Sequence, residues 1–272
     1  PPVGSSRIEG IIQDPRIRAV TLTGSEAAGR KVAAQAGDAI KKTVLELGGS
    51  DPFIVLADAD LDAAARTAAT ARTINSGQSC IAAKRFIVEE SVADDFLERL
   101  RMQLEQLSLG DPTQEATQIG PQARADLRDE LHRQVQASVR AGAKLLLGGE
   151  PESGRGYFYP VTLLDRVVEG MPIADEETFG PVAPIMRVAD ADTAVAVANR
   201  SRYGLGAAVW SADTERAEAV AQRLDVGAVF INQMVKSDPR LPFGGVKVSG
   251  YGRELGHHGI REFTNIQTVG VD

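Results

Sequence analysis

One thiol and one carboxylate stand out as groups that could do chemistry together. Cys80 is the single cysteine in 272 residues. A lone cysteine usually packs as a small buried hydrophobe. Cys80, however, follows Gly77-Gln78-Ser79, a short polar loop after a helical stretch, which is a poor place for a core residue. A nucleophilic thiol needs room for approach and nearby donors that favour the thiolate, and glycine and small residues give that room. Glu46 lies in Val44-Leu45-Glu46-Leu47-Gly48-Gly49. A carboxylate at an apolar strand end is costly unless paired or functional. Burial would raise its pKa into the range of a useful general base; a strand-edge glutamate facing solvent is the plain alternative.

Three further segments carry candidate groups. Glu177, in Asp175-Glu176-Glu177-Thr178-Phe179-Gly180-Pro181, is either part of a solvated turn or a carboxylate for ribose hydroxyls. Gly24-Ser25-Glu26-Ala27-Ala28-Gly29 joins a strand to a helix, where backbone N–H groups and the helix dipole favour phosphate. It holds two glycines, short of the three in the usual dinucleotide fingerprint. Pro242-Phe243-Gly244-Gly245 is a glycine-dense loop, read either as surface crossing or as the rim of a site with Phe243 as an apolar wall. His132, His257 and His258 have no ligand spacing with a cysteine or carboxylate cluster, so no metal is assigned.

These residues need elements to position them. Residues 17–22 read as a buried strand that runs into the Gly24 turn and an alanine-rich helix to about Gly37. Residues 44–47 and 53–56 are short apolar strands, and Asp58-Ala59-Asp60 can cap a long alanine-rich helix to about Thr73. After Cys80, residues 85–88 are strand-like, 92–107 have helical period with Phe96, Leu97, Leu100 and Leu104 on one side, and Gly110-Asp111-Pro112 ends that run. A helix over about 123–142, a strand at 144–147 and continued alternation to about Ile231 imply βαβ units and a largely parallel α/β sheet. The tail, 261–271, alternates as a late strand. Only about two strands precede Gly48, fewer than a doubly wound nucleotide domain needs, so the chain is expected to begin inside such a domain.

Composition excludes several classes. With 43% hydrophobic residues the chain can bury a real core. A net charge of -7 argues against nucleic acid as the main partner. The start, Pro1-Pro2-Val3-Gly4 with charge at Arg7 and Glu9, is unlike a secretory leader. No apolar run approaches the ~20 residues that span a bilayer. One cysteine fits a reducing cytoplasm. The expectation is a cytoplasmic chain with neither nucleic-acid nor membrane partner.

Taken together, Leu22-Thr23-Gly24-Ser25, Leu45-Glu46-Leu47-Gly48-Gly49, Asn75-Ser76-Gly77-Gln78-Ser79-Cys80, Glu177-Thr178-Phe179-Gly180-Pro181 and Pro242-Phe243-Gly244-Gly245 resemble the aldehyde dehydrogenase superfamily. They occur in the family's order, with 34 positions from Glu46 to Cys80 and 97 from Cys80 to Glu177. Leu47-Gly48-Gly49-Ser50-Asp51-Pro52-Phe53, Ala83-Lys84-Arg85-Phe86 and Phe263-Thr264-Asn265-Ile266-Gln267-Thr268-Val269 look like the succinate-semialdehyde dehydrogenase branch. The resemblance implies the C-terminal part of such an enzyme: a partial Rossmann-like NAD(P)-binding remnant over 1–48, a catalytic domain with a mostly parallel sheet over 49–255, and an oligomerisation tail strand over 256–272. It implies Cys80 as nucleophile, with its N–H as half of an oxyanion hole, and Glu46 as general base. Gly24, Ser25, Gly29, Leu47, Gly48, Glu177 and Phe179 would bind NAD or NADP; Ser79, Ser237 and Phe243 would meet a small aldehyde. The family's glutamate at position 46 points to hydrolysis to a carboxylic acid rather than transfer to coenzyme A. Where some semialdehyde enzymes carry an arginine six residues before the nucleophile, this chain has Ile74. The partner implied is a second copy of the chain, as dimer or tetramer. Two other functions fit the same residues: a non-catalytic oligomerising fragment, and a cofactor-independent thiol esterase using Cys80 and Glu46.

Overall fold

The computed structural model describes residues 4–272; Pro1 to Val3, part of the start read as unlike a leader, lie outside the described residues. Contacts divide the chain into two compact units, Pro1–Gly48 with Lys236–Asp272, and Gly49–Val235.

The first unit opens with α1 (Ile8–Gln13), β1 (Ala19–Thr23), α2 (Glu26–Asp38) and β2 (Lys42–Glu46). α2 starts where the sequence supplies a cap: the Ser25 side chain accepts the Ala28 N–H at 3.3 Å, and Glu26 in the first turn suits the positive end of the helix dipole. Its inner face brings Val32 and Ala36 to Ile12, with Val20 and Leu22 against them. Gly29 is a packing glycine: a Cβ there would stand 2.6 Å from the Leu47 methyls.

The second unit contains β3 (Asp51–Val55), α3 (Leu61–Thr73), β4 (Ala83–Glu89), α4 (Glu90–Glu105), α5 (Ala125–Arg140), β5 (Lys144–Leu147), β6 (Thr162–Asp165), α6 (Pro172–Asp175), β7 (Val182–Val188), α7 (Ala191–Asn199), β8 (Tyr203–Gly204), β9 (Gly206–Trp210), α8 (Thr214–Ala221) and β10 (Ala228–Ile231). Seven strands form one sheet in the order β10-β9-β3-β4-β7-β6-β5, parallel except for the β5–β6 pair. Both faces are covered, so β3 and β4 are buried along their whole length, as parallel sheets require. Alternation assigns the faces. Phe53, Val55, Phe86 and Val88 join the core under α3 and α4, while Ile54, Leu56 and Ile87 join the core with Leu131, Val135 and Val195. Phe53 anchors the first face, its ring centroid 5.4 Å from Phe86 and 5.6 Å from Trp210. Asp60 caps α3 by accepting the Ala63 N–H at 3.0 Å.

The chain then returns to the first unit with β11 (Val246–Lys247), β12 (Gly250–Tyr251) and α9 (Gly256–Glu262). β12 pairs antiparallel with β2, setting Gly250 opposite Glu46 and completing the order β1-β2-β12. This pairing draws residues 236–255 to the first unit, where the sequence reading grouped them with the catalytic segment. The tail also differs from expectation. Residues 256–262 are helical, and no strand follows among the described residues. Alternation at 261–271 does not make a strand where no neighbouring strand accepts its hydrogen bonds. Ile266 is instead 94% exposed. Among the described residues, no helix is long and apolar enough to cross a membrane.

Candidate active site

The thiol candidate, Cys80, sits among loops at the amino ends of three adjacent parallel strands of the second unit. Gly49 enters β3, the Cys80 loop enters β4 and the Glu177 loop enters β7. Because β3, β4 and β7 lie side by side and point the same way, segments 97 residues apart in sequence meet at one end of the sheet. The Gly49 N–H donates to Glu177 Oε1 at 2.9 Å. A Cβ at Gly49 would stand 2.6 Å from the Cys80 carbonyl oxygen, so glycine permits the approach.

The turn before Cys80 is strained. Asn75, Ser76 and Gly77 have φ of 50°, 55° and 75°, a left-handed run that two non-glycine residues rarely adopt. Surrounding bonds hold it there. Asn75 Nδ2 donates to the Gln78 carbonyl at 3.0 Å, and Ser76 Oγ accepts the Gly120 N–H at 2.9 Å. The Gln78 side chain bridges Pro121 O and the Ala123 N–H. From below, the buried Arg72 guanidinium donates to Gly77 O at 2.9 Å and Thr178 O at 3.4 Å, tying the Cys80 loop to the Glu177 loop. Burial pulls Arg72 down to about 9. A Cβ at Gly77 would lie 2.3 Å from the Gly180 backbone. Gly77→Ala therefore meets both a disfavoured φ and a backbone clash, and is expected to cost at least ~2 kcal/mol. Thermal unfolding measures this; an unchanged midpoint would show that the two loops do not depend on each other.

Cys80 itself is partly exposed. The buried Lys84 reaches the same loops: its Nζ donates to the carbonyls of Ser79 at 2.8 Å, Cys80 at 2.7 Å and Ala82 at 3.3 Å. It also lies 3.8 Å from Glu177 Oε1 and 5.9 Å from the Phe179 ring centroid. The structure thus brings Ser79, Cys80, Glu177 and Phe179 together within the second unit.

The carboxylate candidate, Glu46, belongs to the first unit. Glu46 ends the central strand of its three-stranded sheet, 3% exposed, and neither carboxylate oxygen has a hydrogen-bond partner among the described residues. Its backbone is fixed, since its carbonyl accepts the Gly24 N–H at 3.0 Å. Burial pushes its pKa up to about 7, the neighbouring Glu254 pushes the same way, and Arg253 opposes both. Arg253 Nη1 donates to the carbonyls of Gly245 and Gly252. A Cβ at Gly244 would stand 2.8 Å from Glu46 Oε1, so this glycine keeps the carboxylate its space.

The other sequence candidates divide between the units. Gly24 and Ser25 are exposed at the amino end of α2; Gly29, by contrast, is buried against Leu47. Leu47 and Gly48 are buried, Leu47 N–H donating to Ser249 O at 3.0 Å and Gly48 O accepting from Ser249 Oγ at 2.6 Å. Phe243 is bridged to Glu254 through two backbone bonds, and Ser237 is exposed on the loop before it. Among the described residues no set of histidine, cysteine, aspartate and glutamate could hold a metal. Sequence reasoning missed Lys84, Arg72 and Asp51. The available signal was Ala83-Lys84-Arg85-Phe86: two cations in a strand whose every residue is buried.

Comparison with known proteins agrees with this architecture. The aldehyde dehydrogenase family model matches residues 1–269. Succinate-semialdehyde dehydrogenase (NADP+) 1 of Mycobacterium ulcerans is 52% identical over 269 residues, covering 99% of this chain and 59% of that protein. Succinate semialdehyde dehydrogenase (NAD(P)+) Sad of Escherichia coli is 53% identical, covering 97% of this chain and 57% of that protein. Among solved structures, succinic semialdehyde dehydrogenase from Streptococcus pyogenes in complex with NADP+ superposes with a TM-score of 0.96 at 39% identity, over 99% of this chain and 59% of that one. Lactaldehyde dehydrogenase from Escherichia coli gives 0.93 at 35%, over 96% and 55%. The chain belongs to the aldehyde dehydrogenase family, with that family's α/β architecture and mostly parallel sheet. It spans under three-fifths of the length of these curated relatives.

Proposed function

We propose that this protein oxidises a small aldehyde, with succinic semialdehyde as the favoured substrate, to its carboxylic acid with NADP or NAD. The observation that carries the reading is Glu46: a buried carboxylate with no hydrogen-bond partner among the described residues and a pKa raised to about 7 is poised to take a proton from water. In this reading Cys80 Sγ forms the bond to the aldehyde carbon, and the Cys80 N–H faces the developing oxyanion. Glu46 accepts a proton from the water that releases the acid and restores the thiol. A bound nicotinamide supplies the hydride acceptor.

Residues here fit such a cofactor. The exposed amino end of α2, at Gly24 and Ser25, offers the positive end of the helix dipole to a phosphate. Glu177 keeps 23% of its side chain exposed, with Oε2 beside the oxygen bound by Gly49, an acceptor suited to a ribose hydroxyl. Phe179, partly exposed, offers an apolar face. Ser79, Ser237 and Phe243 are the proposed substrate contacts. The semialdehyde preference rests on relatives named for that substrate, NADP appearing in one name and NAD(P) in the other. A cytoplasmic homo-oligomer, dimer or tetramer, is part of the same proposal.

The test is nucleotide reduction with succinic semialdehyde and with a simple aliphatic aldehyde, each with NAD and with NADP. The expected result is faster reduction with the semialdehyde. Equal or faster turnover of the aliphatic aldehyde would overturn the substrate, and an absence of nucleotide binding by calorimetry would overturn the cofactor.

A further inference from the structure

Lys84 is a buried cation that the proposed reaction does not use. It lies in the central strand β4, between β3 and β7, and is fully buried. Placing an ammonium there is costly unless its charge and all its protons are matched. An ammonium has three N–H donors and no acceptor. Three carbonyls, from Ser79, Cys80 and Ala82, receive bonds from Nζ. The donors are therefore spent on the backbone that presents Cys80, leaving none to meet a substrate. The charge is matched from both sides. Glu177 Oε1 lies 3.8 Å away across the loop. Asp51, 1% exposed at the start of β3, sits opposite Ala83 in the strand register. The titratable groups facing Lys84 are Asp51, Arg72, Glu177 and Cys80. Burial pushes Asp51 up and Lys84 down, and each opposes the other's shift by attraction.

We propose that Lys84 is the positioning residue of the nucleophile loop, pinning the Ser79 and Cys80 carbonyls with its ammonium and so setting the reactivity of Cys80. This rests on the reading of Cys80 as the nucleophile. A fixed positive charge bonded to the thiol's own backbone favours the thiolate in the way that a nearby lysine or arginine does at other reactive cysteines. The three bonds also resist recoil of a loop whose turn is strained at Asn75, Ser76 and Gly77.

The experiment is alkylation of Cys80 by iodoacetamide across pH, in the unsubstituted chain, Lys84→Met and Lys84→Gln. Cys80 is the single cysteine, so the label reports one site. Methionine fills similar volume without charge or donor, and glutamine keeps a donor without charge. The expected result is alkylation on the order of ten-fold slower at neutral pH in both variants, with the profile displaced to higher pH and the difference closing where a free thiol ionises, at about 8.5. Profiles that superimpose on that of the unsubstituted chain would overturn the proposal. If Lys84→Met loses its circular dichroism signal, Lys84→Gln carries the same reading. Alkylation needs neither nucleotide nor aldehyde, so its outcome is separate from the proposed function: a chain that still turns over after Cys80→Ala would sink that function while the alkylation profiles stand.

Discussion

Cys80→Ala is expected to abolish aldehyde-dependent nucleotide reduction, with a loss on the order of 10⁴-fold or more, because hydride transfer and acid release in the proposed reaction both proceed from the adduct that Sγ forms with the substrate carbon. Hydrolysis of an activated ester without nucleotide should fall with it, since release of an acid from Cys80 is the second half of the same reaction. The fold should not change. Cys80 is partly exposed, and Lys84, Arg72 and Gln78 hold the loop through backbone carbonyls and N–H groups. Unfolding midpoint and circular dichroism check that point alongside the two rates. Reduction that survived in the alanine variant would remove Cys80 from the chemistry.

Glu46→Gln has the second large effect, and it runs in opposite directions for activity and stability. Loss of a general base typically costs ~10²–10⁴-fold. The loss should fall on release of the acid, so the variant should show a burst of about one nucleotide reduced per chain and then stall. In the unsubstituted protein the release step should rise with pH to a midpoint near 7, where Glu46 ionises, and this limb should disappear in the variant. Stability follows from the same carboxylate. Its folded pKa, about 7, lies above the ordinary value of 4.5. Below pH 4.5 the group is protonated in both states and costs nothing. Between 4.5 and 7 the folded state holds the proton more tightly than the unfolded state, so stability falls as pH rises. Above 7 the full cost is present, about 3 kcal/mol. Glutamine removes it, and the variant should melt several degrees higher at pH 8 while gaining little at pH 4. A variant that melts lower at pH 8 would show that the ionised carboxylate is matched in solution.

The sheet and its helices were largely legible, for local reasons. Strands β3 and β4 are continuous apolar runs, and α2 and α3 begin at Ser25 and Asp60, whose side chains cap them. Cys80 and Glu46 could be singled out because each violates its surroundings: a thiol in a polar loop, a carboxylate in an apolar strand. The tail, residues 263–272, forms no strand within the chain, and the strand expected there is one that pairs with a second copy. Its alternation is real, yet strand formation needs a partner that a single chain does not supply at residues 263–272.

The sequence by itself determined the residue types that could react, their spacing, the helix starts and the apolar strands, because each of these is a property of neighbours along the chain. The tertiary structure decided three things that no local pattern carries. The strand order β3-β4-β7 brings Gly49, Cys80 and Glu177 to the amino ends of neighbouring strands, at one end of the sheet. The pairing of β12 with β2 sets Gly250 opposite Glu46, and the carboxylate is buried with Glu254 and Arg253 as its charged neighbours, which is what raises its pKa. The central position of β4 buries Lys84 and aims its ammonium at the carbonyls of the Cys80 loop. In each case the cause is burial and long-range juxtaposition, which depend on which strands become neighbours rather than on the residues beside them in sequence.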